Sequence, residues 1–350
     1  MFLKEEELIQ NVFHDLVSCQ EAFSEPLVME PFYKDFTYRF CWNSNSIEGN
    51  TLSLDETIEV VDFDTVRSGH TYREYTEAKN LYRAIQEFLD VEGTNITEEW
   101  IKHVNGKILG EEADYRKKNL YIGTLAEATC YLPAYERVPG LMEEYLANLS
   151  FRERAGEISY EKIKQLAEEH IRFERIHPFR DANGRTGRMI LNQQLLNAGL
   201  LPILVTDQSK YRQAFRRYDK GGDVSMMVYL IGKGEQQSLD TIKKLRETVQ
   251  EKGLYQGDGY GLDRLEQSEG GAGSASAGAE GAILQRHPAV RYPPVFLFPK
   301  RNHLLPGDYQ RDAPDRLLSR PACGRTLLPP SILFKRASRK KGLCQAFKMV

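Results

Sequence analysis

The sequence predicts an all-α bundle with one β-hairpin and a separate C-terminal tail, on three observations. Apolar residues recur at helical spacing from residue 8 to about residue 250. One short β-prone stretch, Asn119-Leu120-Tyr121-Ile122-Gly123, breaks that texture between Tyr115 and Val138. Beyond Gly257 no periodicity persists, 269–281 is Gly/Ala/Ser-rich, and 9 of the 15 prolines fall after residue 250. Such a composition does not offset its ordering entropy. The tail 251–350 is therefore expected to be disordered, or to be an extension never selected to fold.

Each helix carries its own signals. Leu8, Val12, Phe13 and Leu16 mark a first helix that breaks near 24–26, giving an N-terminal helical segment over 1–30. Pro31 is read as the start of a second helix, with Phe32, Phe36 and Phe40 at four-residue spacing and the pair Gly49-Asn50 as its stop. Ser53 and Glu56 form a capping box for a short helix through Val61. An amphipathic helix covers 72–89, and Thr97 with Glu98 and Glu99 opens another that Gly110 closes. After the hairpin and an irregular segment bracketed by Pro133 and Pro139, helices follow over 139–149, 159–175 and 183–199, and Asp207 and Asp223 cap two more. The body is 31–250.

Composition narrows the setting. The chain has 350 residues, 41% of them hydrophobic, and a formal charge of -3. Residues 251–350 hold 16 Lys and Arg against 9 Asp and Glu, so residues 1–250, with 31 against 41, are acidic by ten charges and offer no clear nucleic-acid site. Five scattered cysteines without CxxC spacing, no apolar leader and no membrane-length apolar run predict a soluble cytoplasmic protein.

Chemistry concentrates in His177-Pro178-Phe179-Arg180-Asp181-Ala182-Asn183-Gly184-Arg185-Thr186-Gly187-Arg188. A small-residue turn before a helix presents backbone N–H groups and a positive helix end to an anion. Arg185 and Arg188, three apart, share a face and can each offer a planar fork to phosphate oxygens. Asp181 at the helix entrance is either a cap or a magnesium ligand. Taken singly, these residues suit an ordinary cap and a solvated face. Their combination indicates a phosphate site with a base beside it.

This stretch resembles the core motif of the Fic-domain family, His-Pro-Phe-x-(Asp or Glu)-Gly-Asn-Gly-Arg-x-x-Arg, with Ala182 in place of the first glycine. The resemblance implies a Fic-type helical bundle that transfers AMP from ATP to a Ser, Thr or Tyr hydroxyl of a target protein, itself included. By that likeness His177 is the general base and Asp181 holds Mg²⁺. The Asn183 side chain and the amides of Ala182 to Gly184 receive charge on the α-phosphate, and Arg185 and Arg188 bind the β- and γ-phosphates. Tyr211 falls where the family places residues near the nucleotide base, and is read either as an aromatic stacked there or as a core tyrosine. The hairpin, with Leu120, Tyr121 and Ile122 and with Arg116 nearby, docks an extended target segment by strand addition.

Upstream, Ser44-Asn45-Ser46-Ile47-Glu48-Gly49 is similar to the family's inhibitory motif, which implies an inhibitory helix near 35–48 and a Glu48–Arg188 pair. Read from the residues alone, Ser44 and Glu48 are neighbours near a helix end. Removal of AMP at the same site, transfer of another nucleotide such as UMP, and an idle binding module stay open as alternatives. Assembly into a homo-oligomer is compatible with all of them.

Overall fold

The computed structural model describes residues 5–91, 93–123, 128–153 and 158–252. The tail expected to be disordered lies almost wholly outside them. The described chain runs α1 (Glu5–Ser18), α2 (Pro26–Ile47), α3 (Leu54–Phe63), α4 (Tyr72–Phe88) and α5 (Glu98–Leu109), then β1 (Tyr121–Gly123) and β2 (Ala128–Tyr131). It continues through α6 (Val138–Glu153), α7 (Tyr160–Ile176), α8 (Asn183–Asn197), α9 (Gln208–Gly221) and α10 (Ser225–Glu251). The two strands pair antiparallel, with Tyr121 opposite Tyr131 and Ile122 opposite Cys130, as a hairpin between α5 and α6.

Most predicted boundaries hold because local chemistry decides them. Ser53 accepts from the Glu56 amide while the Glu56 carboxylate accepts from the Ser53 amide, the reciprocal capping box. Thr97, Ser159 and Asp207 each cap their helix through a side-chain oxygen, and Gly110 closes α5 at φ +75°. Asp223 stands one residue outside the α10 cap, which is Val224, and takes the Ser225 amide.

The start of α2 corrects the sequence reading. The helix begins at Pro26, and Pro31 lies inside it. Both prolines suit a first turn, but the true start is the earlier one. The carbonyl that Pro31 leaves without its usual donor belongs to Leu27, an exposed residue, where water can satisfy it. The segment 1–30 is thus not separated from the body by a helix start at Pro31. Its α1 packs along α10 and touches α7.

α8 organises the rest. Every residue from Asn183 to Leu196 is buried, and α2, α5 and α7 pack around it. A helix enclosed on all sides and rich in amide side chains must find internal partners for them. Gln193 accepts from the Asp90 amide and donates to the Asp90 carbonyl, both at 2.8 Å. Asn197 does the same to Thr94, at 3.0 and 2.9 Å. Asn192 takes the Ile203 amide at 2.6 Å. These side chains staple the flanking connections to the C-terminal end of the central helix, whose other end carries the motif.

Candidate active site

His177 is the C-cap of α7 and has left-handed φ and ψ of 51° and 61°. Ala182, the N-cap residue of α8, is left-handed too, at 60° and 19°. Among the described residues three non-glycines have positive φ, and two of them bracket this one loop. Strain of that kind persists only where surroundings over-determine it. Here Arg116 does so: its amide donates to the Pro178 carbonyl at 2.8 Å and its Nε to the His177 carbonyl at 2.9 Å. The same guanidinium reaches the Lys118 carbonyl at 2.9 Å and the Pro133 carbonyl at 2.5 Å, tying both feet of the hairpin to the motif.

The positive φ at Ala182 explains why a glycine suits that position, and the methyl group is tolerated because it packs into the cluster of Leu81, Val104 and Met189. Ala182→Gly relieves about 1–2 kcal/mol of left-handed strain and forfeits about 0.8 kcal/mol of buried methyl. The expected thermal melt therefore shifts little, and upward if at all.

The imidazole of His177 is buried, which pushes its pKa down to about 4 and leaves it neutral at pH 7. Its Nδ1 lies 3.3 Å from the Glu174 carbonyl, which can only accept, so the ring proton belongs on Nδ1. Nε2 keeps a lone pair. That is the tautomer a general base requires.

A carboxylate of the chain itself, that of Glu48, lies against Gly184 in the first turn of α8. A Cβ on Gly184 would collide with Glu48 Oε1, so this glycine is needed for close approach. Glu48 is the C-cap of α2, and Gly49 at φ +91° closes that helix in a Schellman turn: its amide donates to Ser46, and the Asn50 amide to Asn45. Arg188 meets the same helix end. Its Nε donates to Ser44 Oγ at 2.8 Å, and its Nη2 to the Ser44 carbonyl at 2.9 Å and to Glu48 Oε1 at 2.7 Å. The negative end of α2 thus receives a cation, and the positive end of α8 receives an anion, from each other. The Nη1 of Arg188 is buried without a hydrogen-bond partner among the described residues, and it points at Gly184, 3.0 Å from where a Cβ would stand.

Arg185 is equally buried, with ion-pair contacts to Glu77 at 3.6 Å and Asp181 at 3.8 Å and a 3.3 Å contact to Asn45 Oδ1. Asp181 takes the Ala182 amide at 2.6 Å and pairs with Arg73 at 3.4 Å. Asn183 directs its side chain at the loop and not outward, accepting from the Phe179 amide and donating to its carbonyl. No cluster of three or more His, Cys, Asp or Glu suited to a metal occurs among the described residues. A divalent ion here would have one carboxylate, Asp181, plus the phosphates of a substrate, which is an ordinary donor set for Mg²⁺.

Tyr211 has the surroundings of a core tyrosine: it is 2% exposed, packed with Leu166 and Phe215, and its hydroxyl lies 2.7 Å from His170 Nε2. Residues with no sequence signal also shape the site. Arg73 and Glu77 on α4 neutralise Asp181 and Arg185, and Asn105 on α5 donates to the Asp181 carbonyl and Thr186 Oγ1. In the hairpin, Leu120 and Ile122 are half-buried and Tyr121 is exposed.

A family model described as the Fic/DOC family matches residues 95–195, from just before α5 almost to the end of α8. The chain is similar to Protein adenylyltransferase Fic of Aedes aegypti, 24% identical over 249 residues that cover 67% of this chain and 48% of that protein. Protein adenylyltransferase Fic of Nematostella vectensis is 25% identical over 232 residues, covering 63% and 52%. The chain therefore spans about half the length of the curated relatives it matches. Among solved structures, a Fic domain containing signaling protein from Bacteroides thetaiotaomicron superposes with a TM-score of 0.61 at 22% identity, over 69% of this chain and 97% of that one. Fic-1 (aa134 - 508) from C. elegans gives 0.56 at 22% identity, over 71% and 73%. Ser44, Glu48 and Tyr211 lie outside the matched family segment, whereas His177, Asp181 and both arginines lie within it. The Fic/DOC family model thus matches the segment that holds the motif, and the solved Fic structures share the helical fold.

Proposed function

We propose that the chain transfers AMP from ATP to a hydroxyl side chain of a protein and is held in check by Glu48. One observation carries this reading: a neutral, buried imidazole precedes a helix start with a carboxylate against its Gly184, and an unpartnered guanidinium nitrogen is aimed at the same spot. ATP would present its α-phosphate to the N–H groups of Asn183 and Gly184 and its outer phosphates to Arg185 and Arg188. His177 Nε2 takes the proton of the incoming hydroxyl, whose oxygen attacks the α-phosphorus in line. The bond to the β-phosphate oxygen breaks and pyrophosphate leaves. Mg²⁺ held by Asp181 would offset phosphate charge, and Arg73 must then yield its pairing with Asp181. The hairpin, fastened to the motif loop by Arg116, would present the target segment with little demand on its sequence.

Glu48 would oppose this by geometry and charge. Where it stands, a γ-phosphate meets a carboxylate and finds Arg188 engaged. The same carboxylate could instead orient water, so removal of AMP is the second reading, favoured by the seat of Glu48 at the start of α8. Purified protein with Mg²⁺ and α-labelled ATP is expected to become labelled, while γ-labelled ATP leaves no label. Unlabelled UTP should compete poorly. Loss of label from an AMP-modified protein without any gain from ATP would reverse the assignment.

A further inference from the structure

Four charged side chains alternate in a closed ring at the entrance of α8. Arg73 Nη2 lies 3.4 Å from Asp181 Oδ2, and Arg73 Nε 3.0 Å from Glu77 Oε1. Glu77 Oε1 lies 3.6 Å from Arg185 Nη1, and Arg185 Nη2 3.8 Å from Asp181 Oδ1. Asp181 and Arg185 belong to the motif, whereas Arg73 and Glu77 stand one turn apart on α4. The Glu77 carboxylate is held from a second side, since its Oε2 accepts from Asn50 Nδ2 at 3.3 Å.

This ring balances charge without filling hydrogen bonds. The Arg185 side chain is 1% exposed, and a guanidinium so enclosed needs a counter-charge. Glu77 and Asp181 supply it from 3.6 and 3.8 Å, beyond hydrogen-bonding distance. Among the described residues Arg185 donates to Asn45 Oδ1 at a long 3.3 Å, and its Nε is buried with no hydrogen-bond partner. The fork is compensated but under-bonded, so an anion that approaches closer than Glu77 gains on it. Arg73 is the opposite case: its side chain is 59% exposed, and its pairing with Asp181 at 3.4 Å is of the weak, readily exchanged kind.

We propose that Arg73 and Glu77 are a placeholder pair through which the site selects a metal–phosphate complex over either component alone, Glu77 standing in for a phosphate at Arg185 and Arg73 for a divalent ion at Asp181. The reason is charge balance. With a polyphosphate alone, Glu77 leaves Arg185, but Asp181 then faces the new negative charge with only Arg73, shared with Glu77, to offset it. With a divalent ion alone, Asp181 exchanges Arg73 for the ion, and Arg185 faces the added positive charge. With both, Asp181 keeps a cation, Arg185 keeps an anion, and Arg73 and Glu77 fall back on each other as an i,i+4 pair on α4. Ion and phosphate are thereby coupled, each favouring the other. This inference rests on the reading that Asp181 holds the ion and Arg185 the β-phosphate.

The test is calorimetric titration of the full-length protein with ADP, in Mg²⁺ and in EDTA, which involves neither transfer nor a γ-phosphate. In wild type, Mg²⁺ should tighten ADP by roughly 5- to 150-fold, the usual span of coupling between two sites. Arg73→Gln, at an exposed position, should fold normally and enlarge that ratio by about 2- to 5-fold, because the cation competing for Asp181 is gone while metal-free ADP meets two carboxylates less well balanced. Glu77→Gln should act in the opposite sense. It should tighten metal-free ADP by roughly 5-fold and MgADP by less, shrinking the ratio, because the anion competing for Arg185 is gone. A merely structural role for either residue would shift ADP alike in both conditions. Asp181→Asn should remove the Mg²⁺ enhancement, and its persistence there would overturn the ion reading and this inference with it. Lost enhancement in Asp181→Asn alongside a wild-type ratio in Arg73→Gln would overturn this inference alone, whether or not Glu77→Gln folds.

Discussion

Glu48→Gly should raise self-modification from α-labelled ATP by roughly 5–150-fold, the range of a coupling of 1–3 kcal/mol between a site and its regulator. Two opposing consequences follow from one pair. Without nucleotide, the variant leaves Arg188 buried and lacking its carboxylate, and breaking a buried pair from one side costs about 3–5 kcal/mol. Its melting temperature should fall. Addition of MgATP returns an anion to the same place, so the variant should regain more stability from saturating ATP than wild type does. Arg188→Ala should lack the gain in labelling, since it removes the phosphate contact along with the restraint, and the double variant should match Arg188→Ala. Wild-type labelling in Glu48→Gly at saturating MgATP would mean that the carboxylate at the start of α8 is only a helix-end contact.

The parts of this site that could be read from the sequence are those governed by neighbours along the chain. The capping box at Ser53, the left-handed stop at Gly110 and the turn before α8 are local, and each forms where its residues predict. Pro31 misled because proline at a helix start and proline tolerated within a helix leave the same trace; the difference lies in the exposure of Leu27. Ala182 could not be known to be left-handed, because its φ is set by the closure of the loop through Asp181, Asn183 and Arg116. Arg73, Glu77 and Asn105 carry no periodic or motif signal. They reach the site across about 70 to 110 residues of chain, and long-range pairing of that kind appears only when helices pack. Tyr211 illustrates the converse: its place along the chain suits a residue near the base and a core tyrosine alike, and only packing shows it buried with its hydroxyl on His170.

His177→Ala should abolish transfer while leaving ATP binding within a few-fold of wild type, since the imidazole acts on the incoming hydroxyl and not on the nucleotide. Loss of a general base typically lowers rate by about 10² to 10⁴. In the Glu48→Gly background, where wild-type labelling is measurable, the variant should therefore fall to the floor of the assay. Its pH behaviour makes the assignment sharper. Burial sets the His177 pKa near 4 against 6.5 for an ordinary imidazole, so the base is already unprotonated at neutral pH, and the acid limb of kcat/KM should fall near pH 4 to 5. The same depression acts on stability. Above pH 6.5 the folded and unfolded chains both carry a neutral ring; as pH falls from 6.5 toward 4, the unfolded chain binds a proton that the folded chain refuses. Stability contributed by His177 is thus full above 6.5 and declines by about 1.4 kcal/mol per pH unit across that window. His170, depressed to about 3, adds a loss of the same sign, whereas Glu174, raised to about 7 by burial, opposes both between pH 4.5 and 7. Denaturant melts of wild type and His177→Ala at pH 7.5 and pH 5 isolate the one group: the variant should lose less stability on acidification by about 2 kcal/mol. Equal losses in the two proteins would show that His177 is hydrated and ordinary in solution, and the acid limb should then move up toward pH 6.5 with it.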